Sequence, residues 1–331
     1  MLSDPVRPPL LETSFATLDP RKPLDDDVLA AVVFGNEAPC ASDPRCVRID
    51  LTPLAGHAHA EVWRGTGPVR MGTAGPIRYV ENGDCFAGWL SVSEDRFGGL
   101  IEAAEAAYLG LLALHAESPY RHVWRIWSFI TAINDGEGDE ERYRQFCLGR
   151  ARAYAAAPGR PQGVAYPAAS AVGKTGGKRS LEIYWFAGRQ PGVAVENPRQ
   201  VSAYHYPRRY GPAAPSFSRA MRVPGPMLFV SGTASIVGHQ SVHAGDLEEQ
   251  LRETMVNLEA LLRQSAAGGR IRTARLGPGS LVKIYVRPGC DAALVERRLR
   301  DHLGDQVPLL LLSADICRSE LLIEIELVHP G

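Results

Sequence analysis

The spacing of apolar residues predicts two long helices, one in each half of the chain. Residues 97–117 (FGGLIEAAEAAYLGLLALHAE) are rich in Ala and Leu, and their apolar positions recur at helical intervals. Residues 246–266 (DLEEQLRETMVNLEALLRQSA) give the clearest amphipathic pattern in the sequence. Asp246 followed by Glu249 resembles the start of a capping box, and two glycines follow the predicted helix end.

Strands and shorter helices flank the long helices in the same order in both halves. The predicted strands are 85–92, 122–130, 163–169, 181–188, 200–206, 226–232, 281–287 and 321–328, and the predicted shorter helices are 139–157 and 291–303. Sequence identity between the halves is not evident, so only the pattern repeats. It predicts an α+β fold of two related units packed side by side, with mixed sheets that carry helices on one face and a cleft between the units.

The first fifty residues differ in composition from the rest of the chain. They are rich in Pro and Asp, which predicts an irregular N-terminal arm over residues 1–50. The two related units then correspond to an N-terminal domain over residues 51–195 and a C-terminal domain over residues 196–331.

Composition and charge exclude several classes of partner. The 331 residues carry 36 Lys and Arg against 37 Asp and Glu, a net charge of −1. This balance argues against a nucleic-acid-binding protein or one that binds an anionic membrane surface. No apolar run approaches the roughly 18 residues of a membrane span, and the N-terminus lacks the basic start and apolar stretch of a secretory signal. A cytoplasmic protein is expected.

Cysteine spacing gives no sign of a metal centre. The six cysteines are Cys40, Cys46, Cys85, Cys147, Cys290 and Cys317, and none forms a CxxC pair. We therefore expect reduced, mostly buried thiols and no bound zinc.

Two further motifs suggest ligand sites but lack the surrounding sequence that such sites need. GKT at 173–175 resembles part of a phosphate-binding loop, but Ala168 stands where that loop needs Gly, and a predicted strand follows instead of a helix. A hairpin turn is the preferred interpretation. The histidine pairs His239/His243 and His57/His59 are interpreted as loop or capping residues rather than metal ligands.

The segment 204–222 (YHYPRRYGPAAPSFSRAMR) combines several tyrosines and arginines with stiffening Pro and Gly residues. Guanidinium groups bind carboxylates through paired hydrogen bonds, and phenols add directional donors. The segment therefore suits a small ligand with several negative charges. The alternative is a surface loop with solvated arginines and with tyrosines that cover the edge of a core.

Glu324 lies in the predicted strand LLIEIELV, where alternation places Glu324 and Glu326 on one face. Both carboxylates would ordinarily face water. If that face lines a cleft instead, desolvation would raise the pKa of Glu324 and make it a proton donor near neutral pH. Cys317 precedes the same strand.

The C-terminal half resembles the YjgF/RidA fold in VSGTASI, ETMVNLEALLRQSAAGG, VKIYVR and the closing IEIE. This resemblance implies that Glu324, the first Glu of IEIE, lies in the active cleft. The carboxylate-binding Arg of that fold would fall near Leu309, where VPLLLL has none. A RidA-like enamine or imine deaminase is therefore a disfavoured alternative.

Most of the chain, from about residue 62 to 328, resembles the chorismatases, which are two-domain relatives of that fold. The resemblance rests on RIWSFITAIN, ERYRQFCLGRARAY, VSAYHYPRRYGPAAPSFSRA and LFVSGTASIVGH. It implies that chorismate loses its enolpyruvyl group as pyruvate and that the ring becomes a dihydroxycyclohexadienoate or a hydroxybenzoate. Cys317 and Gly232 are similar to the residues of members that form 3-hydroxybenzoate, which is the expected product; the dihydrodiol is the nearest alternative.

The same resemblance implies roles for individual residues. Glu324 and Cys317 would be the catalytic residues, and Glu324 would protonate the methylene carbon of the enol ether. Gly232 would be one of the substrate-binding residues. Tyr204, Tyr210 and Arg219 would bind the substrate. Arg150, from the first half, would also reach the site; the alternative is that its charge only compensates the dipole at the C-terminus of a helix. The reaction needs no metal or other cofactor. A non-catalytic module that binds small acids is a further alternative, and a monomer or a small homo-oligomer is expected.

Overall fold

The structure is a computed structural model that describes residues 10–19, 21–35, 40, 42–54, 59–157, 165–225, 227–269 and 271–330. His57, the first nine residues of the predicted arm and residues 163 and 164 of a predicted strand lie outside these ranges. No helix in the described ranges is both long enough and apolar enough to cross a membrane.

The N-terminal region contains regular structure, so the prediction of an irregular arm over residues 1–50 was wrong. Within the described residues, four strands form a small sheet in the order β1-β4-β2-β3. These strands are β1 (Leu11–Ala16), β2 (Val28–Phe34), β3 (Cys46–Ile49) and β4 (Ala60–Gly65). Every residue of β2 is buried. The abundant Pro and Asp lie largely in the connections, which hid the short apolar strands between them.

The second sheet belongs to the first of the two predicted units. Its strands are β5 (Arg70–Ala74), β6 (Ile77–Glu81), β7 (Cys85–Ser93), β8 (His122–Thr131), β9 (Ala168–Lys174) and β10 (Ser180–Gly188). Their order among the described strands is β5-β6-β7-β10-β8-β9, and only β8 and β9 run parallel. Helix α1 (Leu100–Glu117) connects β7 to β8, and α2 (Arg142–Ala156) precedes β9.

The second unit repeats this topology. Its elements are β11 (Val193–Val195), β12 (Ala220–Val223), β13 (Met227–Ala234), the two-residue strands β14 (Ile236–Val237) and β15 (Gln240–Ser241), α3 (Leu247–Ala267), β16 (Leu281–Val286), α4 (Ala292–Leu303), β17 (Leu309–Ser313) and β18 (Ile323–Pro330). The main sheet has the order β11-β12-β13-β18-β16-β17, and β16 and β17 form its parallel pair. This equivalence confirms the predicted α+β class and the two related units packed side by side. The domain limits 51–195 and 196–331 remain predictions.

Helices cover one face of each main sheet, as predicted, and the opposite faces meet in a shared core. Leu111 of α1 packs with the strands of the first unit, and Leu258 of α3 packs with those of the second. The shared core includes the small sheet and contains a group of packed aromatic rings. The indole of Trp63 lies 4.5 Å from the ring of Phe186 and 5.8 Å from that of Phe229. Burial of rings this large stabilises the joint between the units.

Two local predictions failed because backbone hydrogen bonds decided the outcome. Residues 200–206 form a turn with a 3-10 helix at Ala203–His205, in which the amide of His205 donates to the carbonyl of Ser202. The GKT segment is not a hairpin, because β8 separates β9 from β10 in the sheet. Lys174 instead donates to Glu182 at 2.6 Å.

The expectation of six reduced cysteines was wrong for one pair. Cys40 and Cys46 form a disulfide with 5.8 Å between their Cα atoms, and Cys46 is the first residue of β3. All six cysteines lie in the described ranges, and Cys85, Cys147, Cys290 and Cys317 are free thiols.

The predicted cap of α3 is present and gives a first test of the fold. The side chain of Asp246 accepts a hydrogen bond from the amide of Glu249 at 3.0 Å. We expect Asp246→Ala to lower the free energy of unfolding by about 1 kcal/mol, because an unpaired amide remains at the helix start. Asp246→Asn keeps an acceptor and should cost far less. Urea unfolding measures both, and equal losses would contradict the capping role.

Candidate active site

A cavity of about 440 Å³ lies where the two units meet. It adjoins the seam between β9 and β13, where the amide of Ala169 donates to Ser231 Oγ at 2.9 Å. The first unit contributes Tyr143, Arg150 and Ser170 to its wall, and the second contributes Tyr206, Tyr210, Arg219, Gly232, Cys317 and Glu324. The cavity therefore needs residues from both units, as the predicted cleft requires.

Glu324 presents a buried carboxyl to this cavity. It lies on β18 between β13 and β16 and is 4% exposed. Among the residues that the structure describes, no side chain or amide donates a hydrogen bond to it. Burial away from water and the negative charge of Glu326 raise the pKa of Glu324 to about 8, against the opposing charges of Arg125 and Arg219. The carboxyl therefore carries a proton at neutral pH.

Glu326 lies on the same face of β18 as Glu324 but has the opposite protonation state. Its Oε1 accepts from Trp127 Nε1 at 2.6 Å, and its Oε2 accepts from Arg125 Nη2 at 2.6 Å and Ser170 Oγ at 2.5 Å. Burial alone would raise the pKa of Glu326. The charges of Lys283 and Arg125, with the hydrogen bonds from Ser170 and Lys283, outweigh burial and hold that pKa at about 2.

Two buried guanidinium groups face the cavity with unused donors. Arg219 is 3% exposed and donates from Nη2 to the carbonyl of Val201 at 3.0 Å and to Tyr206 Oη at 2.7 Å. Arg150 is 2% exposed, and its guanidinium carbon lies 4.8 Å from the ring centroid of Phe146. Neither Nε has an acceptor in the described part of the chain. Both guanidinium groups line the cavity, and their forked donors suit an incoming carboxylate.

The position of Arg150 in its helix excludes the simpler explanation that its charge compensates the dipole at the helix C-terminus. Helix α2 continues to Ala156, so Arg150 lies within the helix and not in its last turn.

Tyrosines and arginines of the 204–222 segment surround the cavity mouth. Tyr210 Oη lies 3.2 Å from His239 Nδ1, and the guanidinium of Arg318 lies 4.2 Å from the Tyr210 ring centroid. Tyr206 lines the cavity, whereas the predicted Tyr204 is not among the lining residues and packs against Tyr166 with 5.6 Å between ring centroids. The turn at Ala203–His205 separates the directions of these two tyrosines, which a strand would have placed on one face.

Gly232 provides space beside the Glu324 carboxyl. It lies at a bulge, where the pairing of β13 with β18 shifts between Val230 and Thr233. A Cβ at this position would lie 2.6 Å from the carboxyl carbon of Glu324 and collide with its Oε1. The amide of Gly232 donates to Ser170 Oγ at 2.8 Å. Any larger residue would have to displace the acid.

Cys317 forms another small part of the wall. Burial and the nearby Glu324 raise the pKa of its thiol, so it is a neutral group at neutral pH. This state suits a compact cavity wall rather than a thiolate nucleophile.

Sequence reasoning missed Tyr143 and Ser170 in this cavity, and it included Tyr206 only as a member of the 204–222 segment. Tyr143 lies in a segment predicted only as a helix, and Ser170 directly follows the predicted strand 163–169. Among the described residues, no group of three or more His, Cys, Asp or Glu side chains is placed to hold a metal ion. His239 instead contacts Arg209 at 3.0 Å.

Taken together, the cavity combines a protonated carboxyl, two arginines with unused donors and three tyrosines. It can bind a small carboxylate ligand and protonate it with little competition from water.

Comparisons with known proteins agree with this chemistry. Residues 61–187 match the family described as Chorismatase FkbO/Hyg5-like, N-terminal. A 3-hydroxybenzoate synthase of Streptomyces hygroscopicus is 37% identical over 85% of this chain and 84% of its own length. A chorismatase of Streptomyces rapamycinicus is 34% identical over 84% of each chain. A chorismatase crystal structure covers 96% of this chain and 98% of its own, with 28% identity and a TM-score of 0.82.

The raised pKa of Glu324 has a consequence for stability. Below the ordinary Glu value of 4.5, folded and unfolded chains both keep the proton. From that value up to about 8, the unfolded chain releases the proton and the folded chain retains it, so stability falls as the pH rises.

We therefore expect Glu324→Gln to be more stable than the wild type at neutral pH, by on the order of 3 kcal/mol, with the difference shrinking toward acid pH. Urea unfolding over a pH series measures this difference. Glu320→Gln, which alters an exposed carboxyl at the mouth, serves as the control. A difference that does not change with pH would show that Glu324 is ionised in the folded protein.

Proposed function

Because this chain belongs to the chorismatase family, we propose that it cleaves chorismate into pyruvate and 3-hydroxybenzoate. One observation carries the proposal: a protonated Glu324 and two arginines with unused donors, Arg150 and Arg219, line a single buried cavity. Chorismate has two carboxylates and an acid-labile enol ether, so it matches both parts of this arrangement.

In the proposed mechanism, Arg150 and Arg219 bind carboxylates and orient the substrate. Glu324 protonates the terminal methylene of the enolpyruvyl group, which leaves an oxocarbenium-like carbon. The ring 4-hydroxyl attacks this carbon, returns its proton to Glu324 and forms a cyclic ketal. Loss of the ring C3 proton and cleavage of the C4–O bond then make the ring aromatic, and the hemiketal that remains on the C3 oxygen collapses to pyruvate and 3-hydroxybenzoate. Chorismate divides into the two products without added water, so the proton that Glu324 supplies is balanced by one that the ring loses.

Two small residues favour 3-hydroxybenzoate as the product. Gly232 leaves the space that the Glu324 carboxyl fills, and Cys317 is a small wall residue of the same cavity; both are similar to the residues of members that form 3-hydroxybenzoate. The 37% identical relative named 3-hydroxybenzoate synthase supports the same product. Attack by water on the oxocarbenium-like carbon would give the dihydrodiol instead. The deaminase alternative has less support, since Leu309 is a buried strand residue where that chemistry would need an arginine.

Several accompanying proposals rest on the sequence. The reaction is redox-neutral, so no cofactor is assigned. Location in the cytoplasm and a monomeric or small homo-oligomeric state are also proposed. Substrate-binding roles are proposed for Tyr210 and for Tyr206, which takes the place of Tyr204.

The direct test is incubation with chorismate. We expect pyruvate, measured by a coupled assay, and 3-hydroxybenzoate, identified by chromatography, in equal amounts. Glu324→Gln should lose at least about a hundredfold in kcat, because it removes the general acid. Glu320→Gln should retain activity. No pyruvate from the wild type would exclude chorismatase activity, and pyruvate with a non-aromatic diol would exclude only the product.

The proposed role of Arg150 in substrate binding gives a separate prediction. Arg150→Gln should lower kcat/KM by about tenfold to a hundredfold, because a charged hydrogen bond to the substrate is lost. Arg152→Gln is a matched control on the same helix, since Arg152 is about half exposed and lies near Glu102 and Glu105. Equal kinetics in the two variants would show that Arg150 does not bind substrate.

A further inference from the structure

A buried charge cluster lies beside Glu324 and away from the open cavity. We define it by Glu326, Arg125, Lys283 and Glu61, each less than 5% exposed. Lys283 Nζ lies 2.5 Å from Glu61 Oε2 and 2.9 Å from Glu326 Oε1, and it donates to Tyr184 Oη at 3.1 Å. At the other oxygen of Glu326, Arg125 and Ser170 donate. The cluster joins β8, β16 and β18 to the small sheet.

Glu326 is the acceptor on which the cluster converges. Within the described residues its two oxygens receive donors from Arg125, Trp127, Ser170 and Lys283. A neutral carboxyl could not accept all four so well, so the geometry requires the ionised form. Glu61, at the far end, shares only Lys283 with it.

Ser170 lies between the two carboxyls of β18. Its oxygen accepts from Arg125 Nη2 at 2.6 Å and from the Gly232 amide at 2.8 Å, and its hydrogen goes to Glu326. A hydroxyl has one hydrogen to donate, so Ser170 has none left for Glu324. The same contact that satisfies Glu326 thus deprives Glu324 of a donor.

The charges that face Glu324 come from several elements. Glu326 on its own strand favours the protonated form. Arg125 from β8 and Arg219, just before β12, favour the ionised form. The neutral thiol of Cys317 adds no charge. The balance between the protonated and ionised forms of Glu324 therefore depends on whether Arg125 is already paired. Glu326 forms that ion pair with Arg125 at 2.6 Å.

We propose that Glu326 is a positioning residue that keeps Glu324 in its protonated form by occupying the Arg125 guanidinium and the Ser170 hydroxyl. The inference rests on the proposed function only for the use that Glu324 makes of its proton. Without the Glu326 charge, Arg125 and Lys283 would lose a counter-ion, and Ser170 could turn its hydrogen to Glu324. Each change would favour the ionised and inactive form of the acid.

The test is the pH dependence of chorismate cleavage by Glu326→Gln. The wild type should lose kcat/KM as the pH rises through about 8, the pKa of Glu324. In Glu326→Gln this loss should move to lower pH by at least about one unit. Activity should therefore fall about tenfold at slightly alkaline pH and much less at acid pH. An equal loss at every pH would indicate only a structural role and would overturn the proposal.

Glu61→Gln is the matched control. It removes a carboxyl from the same cluster and from the same lysine, but within the described residues Glu61 forms no hydrogen bond or ion pair with Arg125 or Ser170. Its pH profile should keep the wild-type position whatever its stability. A shift as large as that of Glu326→Gln would overturn the specific role of Glu326.

A second measurement separates this inference from the proposed function. The infrared carboxylic-acid band that disappears in Glu324→Gln reports the proton on Glu324 without any substrate. This band should titrate at lower pH in Glu326→Gln than in the wild type, even if chorismate is not cleaved. If Glu326→Gln does not fold, Lys283→Met/Glu326→Gln removes one cation with the anion and should show the same direction of shift. An unshifted band would overturn the proposal.

Discussion

The structure depends on a difference in protonation state between two carboxyls that lie on one face of a single strand. Glu324 and Glu326 lie two residues apart on β18, in a region that excludes most water. Two neighbouring buried carboxylates cannot both ionise cheaply, so one retains its proton. The donors decide which one. Glu326 is bound by donors from Arg125, Lys283, Trp127 and Ser170, whereas Glu324 faces the cavity.

The duplicated architecture explains how one chain supplies such a region. Two sheets of equivalent topology turn their helix-free faces toward each other, and the seam between β9 and β13 brings opposite halves of the chain into contact. Arg150 enters from a helix of the first unit and Arg219 from a loop of the second. Neither unit alone encloses the cavity. A binding site at the joint of two units is a common location for a small-molecule site.

The sequence was most informative where one local signal dominated. Periodicity identified α1 and α3 to within a few residues, and alternation correctly placed Glu324 and Glu326 on one face. It could not show that this face is buried, because burial comes from the first unit. Arg125 and Lys283 lay unnoticed in apolar strands for the same reason. Tyr204 was chosen in place of Tyr206 because a 3-10 turn, stabilised by local backbone hydrogen bonds, replaced the predicted strand.

Gly232 and Ser170 show how tightly the two carboxyls are coupled. The Gly232 amide and Glu326 bind the same hydroxyl, on Ser170, while the absent Cβ of Gly232 leaves the space that the Glu324 carboxyl fills. A shift of the β13 bulge would therefore disturb the hydrogen bond that satisfies one carboxyl and the space that accommodates the other. Because both effects act through one backbone position, the separation of the two protonation states is a property of the sheet geometry and not of Glu324 alone.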